Sequence, residues 1–385
     1  MRIFISTGEV SGDLQGSILV TALFKQAAAK GLELEITALG GDRMEQAGAK
    51  LVGNTTQIGS IGFLEAIPLI LPTLKLQRFA KKYLRNNIPD AVVLIDYAAP
   101  NIEIGGFVKK NFPQVPITYY IAPQDWAVPM LGNAPKLTHF VDKLLAVFPQ
   151  EAKYYEKKKL DVTWVGHPLL DRMAQAPNKE QSRQLLNIPV EQQVITLLPA
   201  SRRQEIKQML PIFIESATII QQKIPNVHFL IPVSLAIYKE EISRLVAKAK
   251  LSATLLENQT LEAISAADLA ITKSGTVNLE IALLCVPQIV LYRVHPLTAW
   301  IARNILKMDI PLMSPPNLIL DREIVPEFQQ EHATPENIAN KALELLENPI
   351  QCLKIIAEYN RMRSLLGDIG VAERAANAIL KFNQS

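Results

Sequence analysis

Apolar residues along this chain fall in short unbroken runs, set apart by glycine-rich turns and by stretches of helical periodicity. Arg2–Ser6 reads as a strand, the turn Gly8-Glu9-Val10-Ser11-Gly12-Asp13 follows, and Leu14, Ile18 and Ala22 mark one face of the next helix. Residues 35–39 form a second strand ending at Gly40-Gly41. The runs at 91–95 and 117–121 are almost continuously apolar, as a strand buried on both faces of a parallel sheet requires. After Trp164-Val165-Gly166-His167-Pro168 the rhythm resumes, with strands expected at 194–198, 228–231, 253–256, 269–271 and 289–291. Strand and helix in alternation predict an α/β fold of two Rossmann-like domains facing a cleft, with ligands gathered at the carboxyl ends of the strands. The expected division is 1–165, 166–345, and a helical tail at 346–385 that packs back on the first domain, with the hinge near Gly166.

The chain's 385 residues, 49% of them hydrophobic, suffice for two cores. A net charge of +3 gives no broad field for nucleic acid, so basic residues count only where they cluster. Cys285 and Cys352 lack metal-ligand spacing and the five histidines show no paired pattern, which predicts a reducing compartment and no resident metal or cofactor. The amino-terminal strand has no export-signal core, and the most apolar stretch, around Ile67 to Leu71, is interrupted by Pro68 and falls short of the roughly 18 residues that span a bilayer. A soluble or peripheral protein is expected.

Six segments carry candidate chemistry. At the end of strand 269–271, Ser274-Gly275-Thr276 opens a helix with Glu280 about one turn in. Such a turn lets an anion approach backbone N–H groups, and the carboxylate can accept bonds from ribose hydroxyls; simple helix capping is the rival reading. At the end of strand 91–95 stands Asp96, placed for a general base if partly desolvated, or for a cap. Ala200-Ser201-Arg202 ends strand 194–198, and the planar fork of Arg202 suits a diphosphate unless the turn is merely solvated. Residues 61–85 combine Phe63, Leu64, Ile67, Leu69, Ile70, Leu71 and Leu74 with Lys75, Arg78, Lys82 and Arg85, whose spacing of three, four and three puts the cations on one helix face. That pattern suits an anionic membrane surface, or an ordinary amphipathic helix. Gln124, in the aromatic and polar run 119–126, could line an acceptor pocket, and Asn317 in Pro315-Pro316-Asn317-Leu318 could touch uracil or ribose, although both stretches also read as core and turn.

Taken in order, Gly8-Glu9-Val10-Ser11-Gly12-Asp13, Gly41-Asp42-Arg43-Met44, Gly62-Phe63-Leu64-Glu65, Pro89-Asp90 through Asp96, Leu198-Pro199-Ala200-Ser201-Arg202, Ser274-Gly275-Thr276 with Glu280, and Pro316-Asn317-Leu318 resemble the lipid A disaccharide synthase family across nearly the whole chain. These are inverting glycosyltransferases of the two-Rossmann, GT-B type. The resemblance implies transfer from UDP-2,3-diacylglucosamine to 2,3-diacylglucosamine 1-phosphate, giving a β(1→6) disaccharide and UDP at the cytoplasmic face of the inner membrane. It implies Asp96 as base, Arg202, Ser274, Gly275, Thr276, Glu280 and Asn317 on the UDP moiety, and Gly8, Ser11, Gly12, Asp13 and Gln124 near the acceptor. Phe63, Leu69, Leu71, Lys75, Arg78, Lys82 and Arg85 fall on its membrane-facing segment, and a homodimer is implied through the C-terminal part. Three positions depart from its pattern: Ala99 where a second acid is usual, Val128 in a Trp-Ala-Trp motif, and Ala200 in place of glycine. Two other functions compete: a UDP-N-acetylglucosamine 2-epimerase, which needs no lipid surface, and a non-catalytic nucleotide-sugar or lipid binding protein.

Overall fold

The computed structural model describes residues 1–56, 69–126, 132–199, 203–233, 236–295, 299–300, 304 and 311–382; Phe63, Val128, Ala200 and Arg202 lie outside them. The chain divides into two compact units, one of Met1–Ile61, Glu65–Asp171 and Leu365–Ser385, the other chiefly of Arg172–Ser364.

The first unit is built on seven strands: β1 (Arg2–Ser6), β2 (Glu35–Gly40), β3 (Lys50–Asn54), β4 (Ala91–Ile95), β5 (Ile117–Tyr120), β6 (Lys143–Ala146) and β7 (Val162–Trp164). They lie in the order β3-β2-β1-β4-β5-β6-β7, and every pairing is parallel. The apolar runs at β1 and β4 occupy the middle, where both faces are covered; Phe4, Val92, Leu94, Ile117, Tyr119 and Leu144 are all fully buried. Each apolar side chain of this size contributes about 1.5–3 kcal/mol by leaving water. β3, β6 and β7 are additional to the strands expected from sequence. They are short, they lie toward the edges, and β3 and β7 are only partly buried, so their apolar pattern is thin. β5 stops at Tyr120, because Ile121 takes a left-handed conformation with φ 59°.

The second unit has six parallel strands, β8 (Val194–Leu198), β9 (His228–Val233), β10 (Ala253–Glu257), β11 (Leu269–Lys273), β12 (Gln288–Tyr292) and β13 (Glu327–Gln329), in the order β10-β9-β8-β11-β12-β13. β11 runs two residues beyond the expected 269–271, which places Lys273 at the strand's very end. Both sheets reverse their winding once, between β1 and β4 in the first and between β8 and β11 in the second. At such a point neighbouring strands send their connections to opposite faces, leaving a crevice at their carboxyl ends. Asp96 follows β4 and Ser274 follows β11.

The C-terminal stretch is shared between the units. Helix Pro349–Leu365 falls almost wholly in the second, whereas helix Val371–Phe382 packs along helix Glu9–Ala29 of the first. Asp171 fastens this last helix by accepting the N–H groups of Gly370, Val371 and Ala372, three of the donors a helix start leaves unpaired. His167 joins the same region. Its backbone N–H donates to Leu366 O at 2.9 Å, its Nδ1 accepts the Leu169 N–H, and its ring packs on Phe148.

Burial holds the His167 ring neutral, pulling its pKa from 6.5 down to about 3. Between those values the unfolded chain binds a proton that the folded chain refuses, so this residue's contribution to stability is present above pH 6.5 and is lost as pH falls toward 3. His167→Gln keeps an acceptor for Leu169 and removes the titration. In urea unfolding, wild type should lose stability relative to the variant by up to about 1.4 kcal/mol per pH unit below 6.5; parallel pH curves would contradict this.

Candidate functional site

In the first unit the chain leaves β4 through two successive left-handed residues, Asp96 at φ 48° and Tyr97 at φ 50°. For residues with a side chain this conformation costs about 1–2 kcal/mol each, so something must hold it. Asn101, fully buried on the following helix Ala98–Asn111, directs Nδ2 at the carbonyls of Asp96 (2.7 Å), Ile95 (3.1 Å) and Ser6 (3.3 Å), while its Oδ1 accepts from Ser6 Oγ at 2.7 Å. Tyr119 OH donates to the same Asp96 carbonyl at 2.7 Å, and the Asp96 N–H reaches the carbonyls of Tyr120 and Ile121. The Asp96 backbone is thus fixed from β1, β4 and β5 together. The residue itself is exposed, so the partial desolvation expected for its carboxylate is not built in by the protein.

Where the glycines predict a turn as far as Asp13, helix Glu9–Ala29 already begins directly after Gly8, and its first turns meet this strand end. A side chain at Gly8 would lie 2.3 Å from the Tyr97 ring, and one at Gly12 would lie 2.1 Å from Thr7 Oγ1, so both positions exclude a Cβ. Burial pushes the Tyr97 phenol up, a hydrogen bond with Thr73 opposes this, and the charge of Glu9 adds to it. Ser11 is half-buried. Asp13, expected near the acceptor, is buried and accepts the N–H groups of Gly41 (2.8 Å), Arg43 (3.2 Å) and Met44 (3.1 Å). It caps helix Asp42–Gln46.

Gln124 opens the short turn Gln124–Trp126 beyond β5. Two buried carboxyl groups hold this region, Asp125 from the expected polar run and Glu151, which sequence reasoning passed over. Asp125 accepts from Asn133 and Ala134, and Glu151 accepts from Ala122 (2.9 Å), Val147 (2.7 Å) and Phe148 (3.1 Å). Burial raises the Glu151 carboxyl to about 7 against the pull of those three N–H groups, and the Asp96 charge adds a smaller push. The carboxylate of Asp96 therefore acts on a neighbour that is itself fully enclosed.

In the second unit, β11 runs into Ser274-Gly275-Thr276 and helix Val277–Leu283. Ser274 Oγ donates to Met313 O at 2.8 Å, and the Gly275 N–H donates to Oδ1 of Asn278 at 2.7 Å. Asn278, fully buried, passes its own amide hydrogens to Lys273 O and to Gln288 Oε1, each at 3.1 Å, and Gln288 in turn reaches Tyr359 OH at 3.2 Å. Thr276 and Gly275 are partly exposed beside this network. Glu280 is buried and forms an ion pair with Arg172, a partner 108 positions away that no local pattern announces.

Asn317 is placed differently from the expectation of a uracil or ribose contact. It is fully buried; Nδ2 donates to Val325 O and Glu327 Oε1, and Oδ1 accepts from Ile324 and Val325. A carboxamide offers two donors and two acceptors, and all four are used inside the protein. Glu327, on the edge strand β13, also accepts from Met313 N, Ser314 N and Ser314 Oγ. This carboxylate fixes the segment to which Ser274 is bonded, and only its non-local partners reveal it.

Leu71, Lys75, Arg78 and Lys82 are exposed along one stripe of helix Ile70–Asn86, Leu69 is half-exposed just before it, and Ile70 and Leu74 are 50% and 41% exposed. Arg85 is exposed too, with its guanidinium over the Phe107 ring, 5.2 Å from the centroid.

Comparison with known proteins identifies the family. The Lipid-A-disaccharide synthetase family model matches residues 3–382. The chain is 54% identical over 383 residues to the Lipid-A-disaccharide synthase of Gloeothece citriformis, covering 99% of this chain and 100% of that protein. Among solved structures it is similar to a putative UDP-N-acetylglucosamine 2-epimerase from Listeria monocytogenes, at TM-score 0.64 and 15% identity over 100% of this chain and 97% of that one. It is similar as well to an S. aureus MnaA–UDP co-structure, at TM-score 0.65 and 15% identity with the same coverage. At such identity the two structures share the fold alone. Matched from end to end by the family and by a relative of more than half identical sequence, the chain belongs to the lipid-A-disaccharide synthetase family, glycosyltransferases that form the lipid A disaccharide.

Proposed function

We propose that this enzyme joins UDP-2,3-diacylglucosamine to 2,3-diacylglucosamine 1-phosphate, with inversion, at the cytoplasmic face of a bacterial inner membrane. The observation that carries the mechanism is the exposed Asp96 on a backbone held from three strands at the switch point of the first sheet. A base must be held in place for the proton transfer, and a carboxylate whose main chain is fixed meets that demand. Asp96 takes the proton of the acceptor 6-hydroxyl; that oxygen forms the new bond to the donor's anomeric carbon; the electron pair of the breaking bond leaves with UDP. Ala99, exposed in the first turn after β4, leaves Asp96 without the second acid the family commonly carries there.

The donor half of the reading is supported by the Ser274–Thr276 turn at the second switch point. Gly275 and Thr276 border the diphosphate, Glu280 accepts from ribose, and Arg202 adds a guanidinium to the leaving phosphate. Ser274 and Asn317, both bonded within the protein, shape the site through Met313 and the turn before β13. No resident metal or organic cofactor enters the proposed reaction, since cationic side chains meet the charge that develops on UDP. The epimerase reading shares the fold and a UDP-binding half, but the family match across the whole chain favours the transferase.

Among the described residues no helix is long and apolar enough to cross a membrane. Helix Ile70–Asn86 instead presents Ile70, Leu71 and Leu74 beside Lys75, Arg78 and Lys82, a pattern that suits shallow insertion among anionic headgroups. Ile350 and Leu353, 68% and 65% exposed on helix Pro349–Leu365, offer an apolar surface for the proposed homodimer.

Asp96→Asn keeps the shape of the residue and removes the base. Release of UDP from the two acylated substrates should fall about 10²–10⁴-fold, with UDP binding by calorimetry unchanged; full turnover by the variant would remove Asp96 from the mechanism. Epimerisation of a soluble UDP-sugar without acceptor would replace the transferase reading altogether. Wild type should also float with phosphatidylglycerol vesicles, as a dimer by light scattering. The K75Q/R78Q/K82Q variant should bind them about a hundredfold more weakly, from about 1 kcal/mol per cation, and unaltered flotation would place the membrane contact elsewhere.

A further inference from the structure

Glu151 stands far from Asp96 in sequence, yet one peptide plane joins them. The plane is that of Ile121 and Ala122, just past β5. Its carbonyl, on Ile121, accepts the Asp96 N–H at 3.1 Å, and its N–H, on Ala122, donates to Glu151 Oε1 at 2.9 Å. A peptide bond is rigid, so a tilt at one end moves the other. The plane needs holding, because Ile121 sits at φ 59°, a conformation that a β-branched residue rarely adopts, and its N–H reaches Leu145 O only at 3.4 Å. Tyr155 OH, donating to Pro123 O at 3.0 Å, steadies the chain one residue further on. Glu151 is itself fully buried and anchored by its other oxygen, which accepts the N–H groups of Val147 (2.7 Å) and Phe148 (3.1 Å) just before helix Pro149–Glu156.

We infer that Glu151 is a positioning residue for the base, its carboxylate fixing the Asp96 main chain through the Ile121–Ala122 peptide. The inference rests on the transferase reading above, in which Asp96 is that base. The part requires the charged form. Three N–H groups face two oxygens, and Oε1, which takes only one of them, is the oxygen open to a proton; a hydroxyl there is a weaker acceptor and loosens the plane. Burial raises this carboxyl to about 7 against the pull of the three N–H groups, so neutral pH divides the residue between its two forms. Around it stand Asp96 after β4, whose charge opposes its own, Tyr120 on β5 and Tyr155 on the same helix, whose phenols burial keeps protonated, Asp125 on the turn Gln124–Trp126, and His167, held neutral against the Phe148 ring. Asp171 and Arg374 bear in turn on Tyr120, and Lys143, at the far end of β6, is paired with Asp161.

The test is steady-state kinetics of the full chain with the two acylated substrates, wild type against Glu151→Gln, across about one pH unit either side of the titration near 7. In wild type kcat should fall about tenfold from the alkaline to the acid end, because a carboxyl one unit below its pKa keeps about one-tenth of its charge, while the donor KM holds. The amide of Glu151→Gln cannot present two accepting oxygens, so its kcat should already lie about tenfold down at the alkaline end and stay level across the span. A merely structural glutamate would leave the acid slope in place. Backbone NMR of wild type gives a second reading that needs no variant and decides the matter if Glu151→Gln fails to fold: the amide protons of Ala122 and Asp96 should shift together, with a midpoint near 7. An acid slope retained in Glu151→Gln, or an Asp96 amide that stays still while that of Ala122 titrates, would overturn the assignment and leave the transferase reading in place. Full turnover by Asp96→Asn would instead remove the base, and the positioning role with it, even with the two amides titrating together.

Discussion

A strand that ends in the middle of a parallel sheet leaves backbone carbonyls and N–H groups with no neighbour to pair them, and in each unit one buried carboxamide takes up that task. Asn101 does so after β4, gathering carbonyls of β1 and β4. Asn278 does so after β11, holding the Gly275 N–H and the Lys273 carbonyl at once. Both residues are fully buried and stand early on the helix that follows the strand beside the switch point. A carboxamide offers two N–H donors and an acceptor oxygen on one planar group; a carboxylate would face those carbonyls with like partial charge. An unpaired buried polar group costs about 1–3 kcal/mol, so either turn would be expected to rearrange without its asparagine.

From this constraint the two sites acquire their different characters. The first turn is strained, with two left-handed residues in succession, and what it gains is a carboxylate that points from a fixed main chain while remaining exposed. Around it, Glu151 and Asp125 keep the loop beyond β5 in place through backbone N–H groups. The second turn is unstrained and crowded. Its hydroxyl and one amide are bonded inward, and its carboxylate is matched by Arg172. In the proposed reaction a base requires position above all, whereas a diphosphate site requires charge.

The central strands were legible because they are buried on both faces: β1, β4 and β8 have the bounds their apolar runs suggest. β7 and β13 were not, since three residues at or near a sheet edge carry too little pattern. Asp96 was found as a strand-end acid, but although aspartate tolerates the left-handed region, the tyrosine that follows it there gives no local sign of a second left-handed residue. The fate of Asn317 was hidden for a related reason. Pro-Pro-Asn announces a turn, yet only the folded position of Glu327 shows that the amide is consumed within it. Arg172, Glu327 and Glu151 act through partners distant in sequence or through backbone groups, and periodicity registers neither.

The claim that two buried asparagines hold the two reacting halves is tested most directly by steady-state kinetics of Asn101→Ser and Asn278→Ser with the two acylated substrates. Loosening the Asp96 turn should lower kcat about a hundredfold, the scale of an ångström's misplacement, and leave the donor KM unchanged. Loosening the Gly275 turn should raise the donor KM with a smaller effect on kcat. Wild-type constants in either variant, or the opposite division between kcat and KM, would contradict the account.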